Sequence, residues 1–153
     1  MDEKRNSDGI DFSTPNTFLG FHLRLAQSKL FQHFQLRLAE FDITPGQSGL
    51  LMLIRDNSGV SQSALARAVG VERATLGQSV DVLVKRKLVF RARNDSDQRA
   101  NAVRLTDAGQ EYVDRLIPAI RAHEAEFASN LSKQDFGHLH KLLAQFGETE
   151  FLQ

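Results

Sequence analysis

Arg73, Thr75, Gln78 and Ser79 are the residues of clearest chemical use in this 153-residue chain. They sit on the opening turns of a helical segment, and Gly77 among them leaves room for a close backbone approach. Short polar and basic side chains near a helix N-terminus suit a DNA major groove, where Arg pairs with guanine and Gln with adenine. Upstream, Ser61 and Ser63 open another helical segment, whose hydroxyls and first-turn N–H groups suit phosphate. Downstream, Arg91-Ala92-Arg93-Asn94-Asp95-Ser96-Asp97-Gln98-Arg99 reads as a charged loop between two strands. An Arg at such a tip can enter a narrow minor groove, and a neighbouring Asp can hold the guanidinium in one pose. The same residues also fit a solvated helix face and a plain hairpin with a surface ion pair of little energetic value.

The charge distribution favours the nucleic-acid assignment. Between Ser61 and Arg104 there are nine Lys or Arg against four acids, although the whole chain balances 19 basic against 19 acidic groups. The flanks are therefore acidic, and one basic segment stands out from a neutral body. Net charge near zero also predicts modest solubility unless self-association covers surface.

The elements that must position these residues follow from periodicity and capping. Thr14-Pro15-Asn16 signals the start of a first helix, in which Leu19, Leu23, Ala26, Leu30, Phe34 and Leu38 recur at helical spacing. A second set, Phe18, Phe21, Leu25 and Phe31, widens that stripe, so the helix is expected between two bodies. Thr44-Pro45-Gly46-Gln47 opens a second helix with a capping box. Ser61 caps a third over residues 62–69, with Leu65 and Val69 facing inward and Gly70 as the turn. The fourth runs over residues 72–86. Residues 88–93 and 102–105 read as strands. Thr106 caps a fifth helix to about residue 130, with Pro118 inside it, and Ser132 with Asp135 starts a sixth. The fold class expected is mainly α with a small β-hairpin wing: a winged helix-turn-helix over residues 41–106, a helical dimerisation region over 14–40 and 107–153, and a flexible tail over 1–13.

Composition excludes several classes. There is no Cys, hence no disulfide, thiolate metal site or Cys nucleophile. The five His suggest no metal set, since His138 and His140 lie on different sides of a helix. No apolar run approaches a membrane span, and the polar start is no signal peptide, so a cytoplasmic location is expected. Catalytic fingerprints and cofactor motifs are missing, so neither enzyme activity nor a cofactor is expected.

Several stretches resemble the MarR family of winged helix-turn-helix regulators. They are Asp97-x-Arg99, Leu105-Thr106-x-x-Gly109, Ser61-Gln62-Ser63-Ala64-Leu65-Ala66, Thr75-Leu76, Leu83-Val84-Lys85-Arg86-Lys87-Leu88-Val89 and residues 50–54. The resemblance spans about residues 19–146. It implies a homodimer with interlocked first, fifth and sixth helices, binding palindromic double-stranded DNA, usually as a repressor released by a small ligand. By position, Arg99 is the wing Arg, Asp97 its partner, and Thr75 and Gln78 the helix readers. Lys87 departs from the family's usual Gly, which implies a less sharply turned helix end. Gln78 and Val82 stand where members often have Arg, which shifts the load to Arg73 and the wing.

An aromatic acid or acyl-CoA effector would need an apolar pocket with a few cationic or donor groups. Phe18, Phe21, His22 and Arg24 offer these, with Arg55 and Tyr112 as further candidates. The run Leu19-Gly20-Phe21-His22-Leu23-Arg24 resembles regulators of aromatic catabolism, including some that respond to hydroxycinnamoyl-CoA thioesters. The same residues also suit a dimer core with ordinary surface side chains. The alternative function is a winged-helix module that binds an acidic protein surface instead of DNA.

Overall fold

The computed structural model describes residues 9–93 and 101–147. Its first helix, α1 (Leu19–Arg37), begins later than the Thr14-Pro15-Asn16 signal suggests. Pro15–Thr17 form a separate 3-10 turn, and Phe18 is extended with φ −107° and ψ 125°. Thr14 itself has helical dihedrals and makes no side-chain cap, because a capping hydroxyl needs an extended backbone at its own residue.

The later caps form as the sequence predicts. In α2 (Pro45–Asp56), the Thr44 hydroxyl accepts the Gln47 N–H at 3.2 Å while the Gln47 side chain accepts the Thr44 N–H at 3.1 Å. A two-residue strand, β1 (Val60–Ser61), precedes α3 (Gln62–Val69), which Ser61 caps by accepting the Ala64 N–H. Gly70 takes φ 69° and turns the chain into α4 (Arg73–Lys85). Strands β2 (Val89–Arg93) and β3 (Asn101–Leu105) follow, then α5 (Asp107–Phe127) and α6 (Lys133–Gly147).

The sheet has order β1-β3-β2, all antiparallel, with Val60 opposite Val103 and Arg91 opposite Val103 on the other side. The sequence predicted only the hairpin. β1 is too short to show an alternating pattern, and its pairing with β3 joins residues some forty positions apart. Ala102 and Val103 are fully buried as the central strand requires.

One core joins the end of α1, α2, α3, α4, the sheet and the first half of α5 through Phe34, Leu51, Leu65, Leu83, Val103 and Leu116. Val69, expected to face inward, is 41% exposed. It closes α3 beside the Gly70 turn, and together with Val71 it lines a shallow hollow against α2 and α4. α5 runs unbroken through Pro118 and ends at Phe127, before the expected residue 130. Beyond it the chain tightens, with Ser129 N–H on the Glu126 carbonyl and Leu131 N–H on that of Ala128. Ser132 then starts α6 by accepting the Asp135 N–H at 3.1 Å, its own hydroxyl donating to the Asp135 carboxylate.

The motif Leu105-Thr106-x-x-Gly109 has a steric cause. Thr106 caps α5 by accepting the Gly109 N–H at 2.9 Å, donates its hydroxyl to the Lys87 carbonyl at 2.6 Å, and gives its N–H to Leu88. A Cβ at Gly109 would overlap the Leu88 carbonyl oxygen, so only glycine lets α5 lie this close to the end of α4.

Candidate nucleic-acid interface

The helix-turn-helix comprises α3, the Gly70 turn and α4. Leu76, Val80 and Leu83 anchor the inner face of α4 in the core. That register turns Arg73, Thr75 and Gln78 outward, and all three are exposed. Ser79 is half-buried and donates its hydroxyl to the Thr75 carbonyl at 3.4 Å, so it faces back along the helix more than the other three do. Ser61 and Ser63 are half-buried at the start of α3, where the Ser61 oxygen already accepts a backbone N–H. Glu72, the N-cap of α4, makes no side-chain cap. Asp97 and Arg99 lie outside the described residues.

An ion pair that sequence reading missed ties this face to the wing. Arg91 of β2 meets Asp81 of α4 at 2.7 Å. Ten residues separate them, and only the fold of β2 back along α4 reveals the pairing. Part of the charge counted as free for DNA is thus held within the lobe.

The end of α4 corrects another expectation. Lys87 adopts φ 58°, the left-handed region that favours glycine. The Lys87 N–H reaches the Val84 carbonyl at 2.9 Å and the Leu88 N–H that of Leu83 at 3.0 Å. The helix is therefore turned as sharply as a glycine would turn it, and lysine bears the strain. One residue earlier, Arg86 donates to the carbonyls of Asp42 at 2.5 Å and Phe41 at 2.9 Å. Those carbonyls close the 3-10 turn Ala39–Phe41 that links α1 to α2. Tyr112 of α5 donates to the same Phe41 carbonyl at 2.6 Å, and the Arg86 guanidinium lies 5.5 Å from the Tyr112 ring centroid. Burial raises the Tyr112 hydroxyl above its ordinary pKa, against the lowering influence of Arg86.

The six ligand candidates are not brought together. Phe18 is exposed, Phe21 packs 6.0 Å from Phe12, and His22 meets the Asn16 carbonyl through Nε2 at 2.8 Å. Arg55 pairs with Asp56 at the end of α2, and Tyr112 is held in the junction with Arg86. Arg24 alone among them lines the groove of about 1030 Å³ between α1, the end of α5 and α6. Leu23, Phe31, Phe127, Leu139 and Leu143 form much of its wall. Among the described residues no group of three His, Asp or Glu is placed to hold a metal ion.

A sharply turned helix pair with an exposed polar reading face, followed by a two-stranded wing on a small sheet, defines a winged helix-turn-helix protein. The sequence signature of the MarR family matches residues 41–100. A Thauera aromatica protein named for transcriptional regulation of the hcr operon is 34% identical over 126 residues, covering 82% of this chain and 76% of its own. The transcriptional repressor NicR of Pseudomonas putida is 32% identical over 103 residues, covering 67% and 65%. The repressor CouR, solved bound to a 23-mer DNA duplex, matches with TM-score 0.84 and 28% identity, covering 90% of this chain and 97% of CouR. The chain belongs to the MarR family, whose members are transcription regulators and not enzymes.

Proposed function

We propose that this protein is a ligand-responsive repressor that binds a palindromic operator as a homodimer and is released by a small aromatic acid or its acyl-CoA thioester. The observation that carries the DNA assignment is the outward face of α4, where Arg73, Thr75 and Gln78 are exposed while the opposite face is locked in the core. Ser61, Ser63 and Ser79 support that face from the helix starts and the flank of α4. Asp97 and Arg99 are assigned to the wing tip by their match to the family motif. The kinship with CouR, solved on duplex DNA, supports the same mode.

The dimer rests on exposed apolar surface. Over residues 133–146 α6 buries none of its own residues, and Leu139, Leu142, Leu143 and Phe146 are each more than 40% exposed. Phe18, Leu19, Leu23 and Phe31 extend that surface along α1. A patch of this extent is unfavourable in water unless a partner covers it. The effector assignment rests on the likeness of the run Leu19-Gly20-Phe21-His22-Leu23-Arg24 to regulators of aromatic catabolism, with Arg24 at the rim of a groove whose wall residues Leu23, Phe31, Leu139 and Leu143 also belong to the surface assigned to the dimer.

Selection of duplexes from a random library by the full-length protein, followed by binding at two salt concentrations, tests the central claim. The expected outcome is a palindrome with half-sites about 34 Å apart, bound with steep salt dependence. Recovery of no enriched sequence would reject the operator reading and favour a protein partner. For the effector, benzoate, 4-coumarate and coumaroyl-CoA are the probes for thermal shift, since a ligand at 100 times its Kd adds about 2.7 kcal/mol.

A further inference from the structure

The body of the molecule holds a histidine pair that the DNA assignment does not use. His33 of α1 and His123 of α5 meet Nδ1 to Nδ1 at 2.7 Å, their rings stacked 4.9 Å apart at 28°. His123 is 3% exposed, and Phe34 packs edge-on against it at 5.5 Å. Phe127 closes the other side, 5.7 Å from His33 and 6.4 Å from His123. Three charged groups complete the surroundings, Glu124 and Glu126 of α5 and Arg37 of α1. Glu126 of α5 lies 3.8 Å from His33 Nε2 and also pairs with Arg37 of α1. Glu124 acts on His123 from its own helix, favouring the charged form, as does Glu126.

This geometry admits a limited number of protons. When both rings are neutral, one Nδ1 donates its N–H and the other accepts with its lone pair. A first added proton can be held, since one Nδ1–H still donates to the other Nδ1 and His33 Nε2 faces Glu126. A second proton would place N–H groups on both Nδ1 atoms across a 2.7 Å gap, and the rings must part. A shared metal is a poor occupant, since Glu126 faces the opposite edge of His33.

We propose that the His33–His123 pair is an acid-sensitive latch between α1 and α5, and that its opening by a second proton weakens the grip on DNA. The coupling runs through contacts already described. α1 leads into the turn whose Phe41 and Asp42 carbonyls hold Arg86 at the end of α4, and Tyr112 of α5 holds Phe41 as well. Movement of α1 against α5 therefore bears on the helix that carries Arg73 and Gln78. Burial and the neighbouring His33 both lower the pKa of His123, against the two glutamates. A lowered pKa in the closed form means that closure is unpenalised above the ordinary His value of about 6.5 and loses ground as pH falls below it.

The regulatory part of this proposal rests on the operator reading; the latch itself does not. Operator binding and urea unfolding, each followed from pH 7.5 to pH 5, are the two measurements, on the wild-type protein, His33→Gln and His123→Phe. Gln keeps a hydrogen bond to His123 without titrating, and Phe suits the aromatic surroundings. Below pH 6.5 wild-type affinity should fall by up to about tenfold per pH unit, the limit for one extra proton. Either variant should hold its affinity over the same range, because the pair can no longer take up a second proton. Without DNA, the wild-type unfolding constant should rise relative to His33→Gln over the same range. Wild-type affinity that is flat or rising on acidification, or variants that keep the acid response, overturns the regulatory claim. Parallel unfolding curves for wild type and His33→Gln overturn the latch. Failure to bind any duplex at pH 7.5 sinks the operator reading and leaves the latch to the unfolding data.

Discussion

In the winged-helix lobe, Leu51, Ile54, Leu83 and Val103 are each 0% exposed, whereas along α6 Leu139, Leu142, Leu143 and Phe146 stand between 42% and 49% exposed. Both sets are large aliphatic or aromatic side chains at regular helical or strand positions. The lobe buries most of its apolar residues within one chain through contacts between α2, α3, α4 and the sheet, with Val69, Val71, Val82 and Phe90 left 40–43% exposed. α6 and one face of α1 leave theirs exposed, while Phe34 of α1 and Val113 and Leu116 of α5 join the lobe's core. One part of the chain thus closes on itself, and the other presents the apolar surface on which the proposed dimer rests.

That contrast can be broken most directly by truncation on each side. Leu83→Ala should cost about 2–5 kcal/mol of folding stability, because the cavity it leaves has no solvent contact to relax into. Denaturant unfolding would show it as a lower midpoint. Leu143→Glu should leave the lobe's secondary structure intact and shift sedimentation from dimer to monomer. A lobe that unfolds with Leu143→Glu at the same denaturant as with Leu83→Ala would erase the distinction.

Gly109→Ala probes where the two regions meet. Overpacking against the Leu88 carbonyl should cost about 1–3 kcal/mol, far more than an alanine normally costs in the first turn of a helix. A melting curve that matches wild type would show that α5 can retreat from the lobe.

The DNA face is tested by losses that leave folding untouched. Arg73→Ala and Gln78→Ala should each relax preference by about 1–3 kcal/mol at one base pair, with melting unchanged. Equal losses on operator and random duplex would remove the base-reading role. Asp97→Ala should weaken binding, as should Arg99→Ala, even though the first removes a negative charge. Simple phosphate electrostatics gives the opposite sign for Asp97→Ala. Tighter binding by that variant would leave the wing as only a charged hairpin.

The smallest effect is a gain. A left-handed lysine costs about 1–2 kcal/mol, and glycine returns roughly half of the relief through its freer unfolded chain. Lys87→Gly should therefore stabilise the lobe by about 0.5–1 kcal/mol in denaturant unfolding. A destabilised variant would mean that the Lys87 side chain makes a compensating contact.

What could be read from the sequence was local. Thr44 with Gln47, Ser61, Gly70 and Thr106 each act on a partner within a few residues, so their helix boundaries were legible. So was the outward set on α4, because Leu76, Val80 and Leu83 fix its register at helical spacing. Thr14 misled because a capping residue type does not fix its own dihedrals. Lys87 misled because the hydrogen bonds that end α4 impose φ 58° whichever residue stands there. The Arg91–Asp81 bridge, the Arg86 junction and the His33–His123 pair were invisible for a different reason. Their partners lie 10, 44 and 90 positions apart, and no spacing rule links them before the fold is known. The effector candidates meet the same limit, as residue type alone does not show that Tyr112 donates to the Phe41 carbonyl 71 positions away.

The absence of a side chain at Gly109 has a mechanical consequence. Because the first turn of α5 rests on the Leu88 carbonyl and is pinned by Thr106, the lobe and the long helix meet at a stiff joint rather than a loose hinge. The helix spans 21 residues, about 32 Å. Because lobe and helix then move as one, a tilt of one degree about the far end of α5 displaces the joint, and the lobe with it, by about 0.6 Å, over a length of the same order as the spacing of successive major grooves. Such an arm converts angular changes in the helical body into translation at α4, so in the proposed dimer side chains that never approach DNA would set how far apart the two α4 helices stand.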